Sequence, residues 1–245
     1  MVERGLVGSR ERAQALILAG RVLVAEQRIE KPGTAIDVEA VLRILGEDLR
    51  YVSRGGLKLE AALDHWKIQL AGRTCIDIGA STGGFTDCML QRGAQHVLAV
   101  DTGYGQIAHK LRVDSRVTLL ERCNARLLRP AELIRKAAEP VSFLAMDVSF
   151  ISATLVLPAA IAALAEENGT WRGEAVVLVK PQFEAGREHV GKGGIVRHEA
   201  ARQLAIERVR ESVIAAGGKE VEVIDSPITG AEGNREYLLH ALFQG

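Results

Sequence analysis

Five short apolar runs, at 75–78, 97–100, 117–120, 142–146 and 175–179, constrain the fold more than any other feature of this chain. Helical or loop stretches separate them, notably 83–91, 151–165 and 199–216. Strands that alternate with helices build βαβ units on a parallel sheet. The end of the chain breaks the rhythm. Residues 220–224 and 237–243 both read as strands, yet the link between them is polar, bears glycine and has no helical pattern. The expected fold is α/β, with a mostly parallel sheet whose last strand is antiparallel.

At 245 residues the chain suits one medium domain with a small appendage. Hydrophobic residues make up 47%, enough for a substantial core, and a formal net charge of zero gives no overall signal for nucleic acid or membrane. Any basic binding face has to be local. Cys75, Cys88 and Cys123 cannot all pair and lack metal-ligand spacing. No signal peptide is evident at Met1, so a reducing, cytoplasmic setting without bound metal is expected. The longest apolar run, 155–165, falls short of the roughly 20 residues that span a bilayer and reads as a buried helix.

Three segments follow from this reading: a small module at 1–50, a linker with a first helix at 51–72, and the main domain at 73–245. In the module, Ser9 is a plausible cap for a helix from Arg10 to Ala19, closed by Gly20. A strand at 21–25 and a turn at Lys31-Pro32-Gly33 follow. Arginines cluster early, but Glu3, Glu11, Glu26 and Glu30 offset much of their charge, so a solvated helix face explains them equally well.

The loop DIGASTGGFTD, 77–87, follows the first strand of the main domain and opens a helix, where backbone N–H groups can hold a ligand. A dinucleotide prefers G-x-G-x-x-G, and Ser81 stands where the second glycine belongs. Gly79 to Gly83 also spells the G-x-S-x-G of a hydrolase elbow, but His189, His198 and His240 lack a supporting context and no oxyanion loop is visible. S-adenosylmethionine fits better. Asp101, about 20 residues on, can accept both hydroxyls of an adenosyl ribose, and Asp77 can face an ammonium group. Glycine would let the backbone approach the methionine portion, although a loop serving only helix–sheet packing has the same letters. A second glycine segment, 186–193, imitates the phosphate loop G-x-x-x-x-G-K but lacks the Ser or Thr that holds Mg²⁺; it reads as a mobile loop on the substrate side.

Three strands end in charged residues, Asp101, Asp147 and Lys180. Ligands of open α/β sheets bind beyond the carboxyl ends of strands, so these side chains should share a crevice. Asp147 is a natural partner for Lys180, and a simple salt bridge at the sheet rim would look the same. Lys58, on a helix expected to be capped by Ser53, and Glu236, at the start of the last strand, could join them or be ordinary surface charges.

The segments YVSRGGLKLEAAL, DIGASTGGFTDCML, VDTGYGQIAHKL, AMDVSFISATLVLP, LVKPQFEAGREHVGKGGIVR and GNREYLL occur in this order. Together they resemble the TlyA, or hemolysin-A-like, family of ribosomal-RNA ribose methyltransferases over nearly the whole chain. SRERAQALILAGRVLVAEQ resembles the small α+β RNA-binding module named after ribosomal protein S-four. The resemblance implies a Rossmann-like, FtsJ-like methyltransferase domain that uses S-adenosylmethionine. It implies a catalytic set of Lys58, Asp147, Lys180 and Glu236. It also implies cofactor contacts from Gly79, Ala80, Ser81, Thr82, Gly83, Gly84 and Phe85, with Asp101, Asn124 and Asp147. Family members begin with several more residues, so the module is either shortened here or its start is misassigned; substrate range is what this touches.

The implied substrate is a cytidine ribose 2′-hydroxyl in ribosomal RNA. That hydroxyl is a poor nucleophile while a sulfonium methyl is already activated, so catalysis needs alignment and a route for the proton. Lys180 is expected to orient or deprotonate the hydroxyl, or to stabilise the alkoxide, with Asp147 and Glu236 holding the two lysines. Arg4, Arg10, Arg12 and Arg21 are the expected phosphate contacts. The base would have to leave its stack, and Phe85, Phe150, Phe183 and Tyr104 are the aromatic residues at hand. A non-catalytic assembly factor and a membrane-damaging protein are the rival classes; the second needs a spanning or amphipathic basic segment, and none is visible.

Overall fold

The structure, a computed structural model, describes the chain except for residues 8, 9, 19, 46–49, 130–136, 138, 166–168, 231 and 245; for 11, 12 and 15 it describes the backbone alone. The chain divides into two compact units, Met1–Leu49 and Arg50–Gly245.

In the first unit, α1 (Arg10–Leu18) precedes β1 (Val22–Val24), β2 (Gln27–Ile29) and β3 (Leu42–Ile44). The strands are antiparallel in the order β2-β1-β3. Helix and first strand lie where the sequence predicts them, while the Ser9 cap and Ala19 fall outside the described residues. Gly20 takes a left-handed φ of 63°, which lets the Gly20 and Arg21 N–H groups close on the Ile17 and Leu16 carbonyls. The sequence did not predict β2 and β3: each is only three residues long and half-buried at most, with Ile29 and Ile44 packed on the unit's core. Val7, Leu16 and Val22 form a small core.

The second unit contains α2 (Gly55–His65), β4 (Thr74–Ile78), α3 (Gly84–Gln91), β5 (His96–Val100), α4 (His109–Arg112), β6 (Val117–Leu120), β7 (Val141–Met146), α5 (Ala153–Leu164), β8 (Arg172–Val179), α6 (Pro181–Glu184), α7 (Glu199–Ala215), β9 (Lys219–Asp225) and β10 (Tyr237–Gln244). Seven strands form one sheet in the order β6-β5-β4-β7-β8-β10-β9. The pairs among β4 to β8 are parallel, and β10 is antiparallel to both neighbours.

Side chains alternate across this sheet. Ile76, Ile78, Val177 and Val179 pack with α5 and α7 on one face; Cys75, Phe143, Val176 and Leu178 pack with α2 and α3 on the other. Burial on both faces is why the strands read as continuous apolar runs. Helix α5 is buried along one face only, with Leu155 exposed, where the run 155–165 suggested a wholly buried helix. Ser53 is not the cap of α2. Arg54 occupies that position without a side-chain bond, and the Ser53 carbonyl accepts the Gly56 N–H in the opening turn.

Candidate active site

The strand order reverses between β4 and its neighbours β5 and β7, which opens a crevice beyond the carboxyl ends of these strands. Asp101 follows β5, Asp147 follows β7 and Lys180 follows β8. Glu236 comes from the other direction. Because β10 is antiparallel to β8 and Tyr237 pairs with Val179, the residue before β10 lies beside the residue after β8. Lys58 projects from the first turn of α2 and is buried.

Lys58, Asp147, Lys180 and Glu236 line one cleft of about 280 Å³. They form two ion pairs. Lys58 Nζ meets Glu236 Oε2, with both side chains buried. Lys180 Nζ lies 2.6 Å from Asp147 Oδ1 and donates a hydrogen bond to Ser149 Oγ at 2.6 Å. The simple rim bridge is thus extended into a four-residue constellation. Arg54, exposed, stands at the same cleft.

A second hollow, of about 420 Å³, adjoins the cleft and shares Gly79, Ser81, Asp147 and Ser149 as walls. Ile78, Val100, Ala125 and Val156 give it apolar sides, while Asp101, Asn124 and Gln106 bring polar groups. Asp101 receives the Ser81 N–H at 2.7 Å and the Gly103 N–H at 2.6 Å, one on each oxygen, and each oxygen keeps a further lone pair. Asn124 accepts the Arg126 N–H at 3.1 Å, leaving its amide N–H₂ free of that bond. Ser81 has a left-handed φ of 48° that turns its N–H toward Asp101. Its hydroxyl neighbours Gln106, which leaves the elbow lettering without a histidine partner.

The room left by three glycines of the loop is taken up by the protein itself. A Cβ on Gly79 would collide with the Asp147 carbonyl, one on Gly83 with Leu111, and one on Gly84 with Ser53 Oγ. Phe85 is likewise a core residue at its inner edge, and Ala80 is buried. Thr82 and Ser81 are the exposed members. Asp77 lies beneath the loop, fully buried, rather than facing the open cleft. Its Oδ2 accepts the Thr86 hydroxyl at 2.6 Å and its Oδ1 has no hydrogen-bond partner. Burial first, then the Asp147 and Asp101 charges, push its carboxyl up to about 7 although Thr86 opposes the shift.

One further carboxylate braces the site. Buried Glu184, four residues beyond Lys180, accepts the Ser152 hydroxyl at 2.5 Å and the Ala153 N–H at 2.7 Å, fixing the far end of the turn that begins at Asp147. Burial raises its carboxyl above the ordinary value despite these bonds. Ser149 and Glu184 lie in the D-V-S-F-I-S and K-P-Q-F-E segments, whose likeness pointed to Asp147 and Lys180 but not to these two neighbours; the pairing of β7 with β8 brings the segments together.

Of the aromatic candidates, Phe85 is buried, whereas Phe150 is 92% exposed in a left-handed conformation, φ 65°, with Phe183 at 5.7 Å. Tyr104 is exposed under the Arg122 guanidinium at 4.4 Å. Among the arginines of the first unit, Arg4 bonds the Ala40 and Val38 carbonyls and Arg21 the Leu45 carbonyl, so both serve their own module. Arg10 is exposed, and the Arg12 side chain lies outside the described residues. The 186–193 segment forms a short 3₁₀ turn at Arg187–His189, and Asn234 ties its continuation, Gly194 and Val196, to the loop preceding Glu236. Among the described residues no helix is long and apolar enough to cross a membrane, and no three His, Cys, Asp or Glu residues are placed to hold a metal.

Residues 51–243 match the FtsJ-like methyltransferase family and residues 1–42 the S4 domain. The 16S/23S rRNA (cytidine-2′-O)-methyltransferase TlyA of Mycobacterium tuberculosis is 43% identical over 240 residues, 98% of this chain and 86% of that protein. Hemolysin A of Brachyspira hyodysenteriae is 41% identical over 236 residues, 96% of this chain and 95% of that protein. A solved structure from Streptococcus thermophilus, also named a hemolysin, is 44% identical with a TM-score of 0.76, covering 99% of this chain and 86% of that one. With its site at the reversal of a methyltransferase sheet and its likeness spanning both units, the chain belongs to the FtsJ-like methyltransferases, in the TlyA group that joins this domain to an S4 domain.

Proposed function

We propose that this protein methylates the ribose 2′-hydroxyl of a cytidine in ribosomal RNA, using S-adenosylmethionine held in the hollow beside the cleft. The observation that carries the reading is the convergence of two Lys–carboxylate pairs, Lys58–Glu236 and Lys180–Asp147, on one cleft, of which Asp147 also walls the adjoining hollow. The hollow suits the cofactor: apolar sides for adenine, Asp101 for the ribose, and Asp147 as a second lining carboxylate for a ligand with cationic groups. The unpartnered Oδ1 of Asp77 adds a buried acceptor on that side.

When bound, S-adenosylmethionine supplies a methyl on sulfonium, so that the new O–C bond forms as the C–S bond gives its electron pair to sulfur. Lys180 takes the departing hydroxyl proton, or in its charged form stabilises the growing negative charge; Asp147 and Glu236 hold the two lysines in place. Phe150 offers an exposed ring on which an unstacked base can rest. The cytidine and ribosomal specificity follow the named activity of the M. tuberculosis relative, and the first unit supplies RNA affinity through Arg10 and its neighbours.

Incubating separated ribosomal subunits with the protein and methyl-labelled cofactor tests this reading. Labelled 2′-O-methylcytidine after digestion supports it; cofactor and RNA binding with no labelled nucleoside would make the protein a non-catalytic RNA-binding factor.

A further inference from the structure

Two groups hold the Lys180 amine, and only one of them fixes its direction. Asp147 Oδ1 is 2.6 Å away, yet that oxygen has no partner in hydrogen-bond geometry, so the contact is one of charge. Ser149 Oγ, also at 2.6 Å, accepts a formed hydrogen bond from Nζ. Ser149 lies in the exposed turn after β7 and walls both the cleft and the hollow.

We propose that Ser149 is a positioning residue of the methyl transfer, aiming the Lys180 amine at the ribose hydroxyl. The inference rests on the function proposed above. Besides Cε, a lysine nitrogen has three tetrahedral positions. Ser149 fixes one, and with the amine so held beside the Asp147 charge a remaining position can serve a hydroxyl in the cleft that Lys180 lines. If that position is a hydrogen, it donates to the 2′-oxygen; if it is the lone pair, it receives the hydroxyl proton, which then passes to water. A serine hydroxyl accepts from an amine or an ammonium alike, so the same hydrogen bond serves both states. Charge attraction alone leaves a flexible four-carbon stem free to swing, and a misplacement of about 1 Å can cost about 100-fold in rate.

The test compares Ser149→Ala and Ser149→Thr with the wild type and Lys180→Ala. Because Ser149 is exposed, neither substitution at that position threatens the fold. Ser149→Ala should lower kcat by about 10- to 100-fold, with KM for RNA and cofactor affinity changed by less than about twofold. Ser149→Thr, which keeps the hydroxyl, should recover most of the rate. In the cofactor-free protein, the Lys180 ¹³Cε resonance should shift in Ser149→Ala, which removes the Nζ–Oγ hydrogen bond, and return in Ser149→Thr. A kcat within about twofold of wild type in Ser149→Ala overturns the proposal, as does a Thr variant no better than the Ala variant. If Lys180→Ala is inactive while Ser149→Ala is unimpaired, only the role of Ser149 falls. If Lys180→Ala turns over normally, the reading of the cleft falls with it.

Discussion

Lys58 and Glu236, 178 residues apart in the chain, form a buried ion pair at the floor of the cleft. Each alone would be a charge in a nearly dry site, which costs several kcal/mol unless it is compensated. Glu236→Ala should therefore destabilise the protein by about 3–5 kcal/mol in urea unfolding as well as stopping turnover. The double variant Lys58→Met/Glu236→Leu should regain most of that stability and remain inactive. Equal losses in the single and double variants would mean that the pair contributes packing rather than charge compensation.

That pair marks the limit of what sequence alone makes legible. Asp101, Asp147 and Lys180 could be placed in one crevice because each ends an apolar strand, and parallel strands put such ends on one edge. Lys58 and Glu236 carried no such positional signal; only the family-like segments YVSRGGLKLEAAL and GNREYLL pointed to them. Their meeting depends on β10 entering antiparallel beside β8 and on the packing of α2 against the sheet, two long-range facts. The glycines show the converse. Their positions were readable, but not whether the room they leave is for a ligand or for the protein; Asp147, Leu111 and Ser53 fill it. In the first unit, β2 and β3 stayed hidden because each is three residues long and turns only one isoleucine, Ile29 or Ile44, toward the small core.

Gly79→Ala follows from the same geometry. The added methyl would meet the Asp147 carbonyl at a residue with φ 90°, so the turn carrying Asp147 must shift. A stability loss of about 1–3 kcal/mol and a marked drop in kcat are expected, the first read by calorimetry and the second by methyl transfer. Unchanged turnover would show that Asp147 tolerates displacement.

Asp77 gives the protein a pH dependence of definite sign. Its carboxyl titrates near 3.9 when unfolded and is pushed up to about 7 when folded, so the native state binds the extra proton between these values. Stability from the protonated form is present below about pH 4 and is lost as pH rises through about 7. Asp77→Asn, which keeps an acceptor for Thr86, should flatten this decline, so that its Tm overtakes the wild type on the alkaline side. A cationic ligand nearby should favour the ionised form, so wild-type cofactor affinity should rise from pH 6 to 8, and less so in the variant. Parallel profiles in the two proteins would contradict both statements.

Phe150 is nine-tenths exposed, so its removal should cost the fold little. Base stacking on an aromatic side chain is worth about 1–3 kcal/mol, which makes the expected loss in kcat/KM for Phe150→Ala about 5- to 150-fold at unchanged Tm. Phe150→Trp should retain activity. If alanine and tryptophan behave alike, the ring takes no part in holding the base.

Single-turnover methyl transfer by Lys180→Ala, with cofactor affinity measured on the same preparation, tests the central claim most directly. The four-residue cleft predicts cofactor binding within about twofold of wild type and labelled 2′-O-methylcytidine reduced by at least about 100-fold. Near-normal labelling by that variant would contradict it.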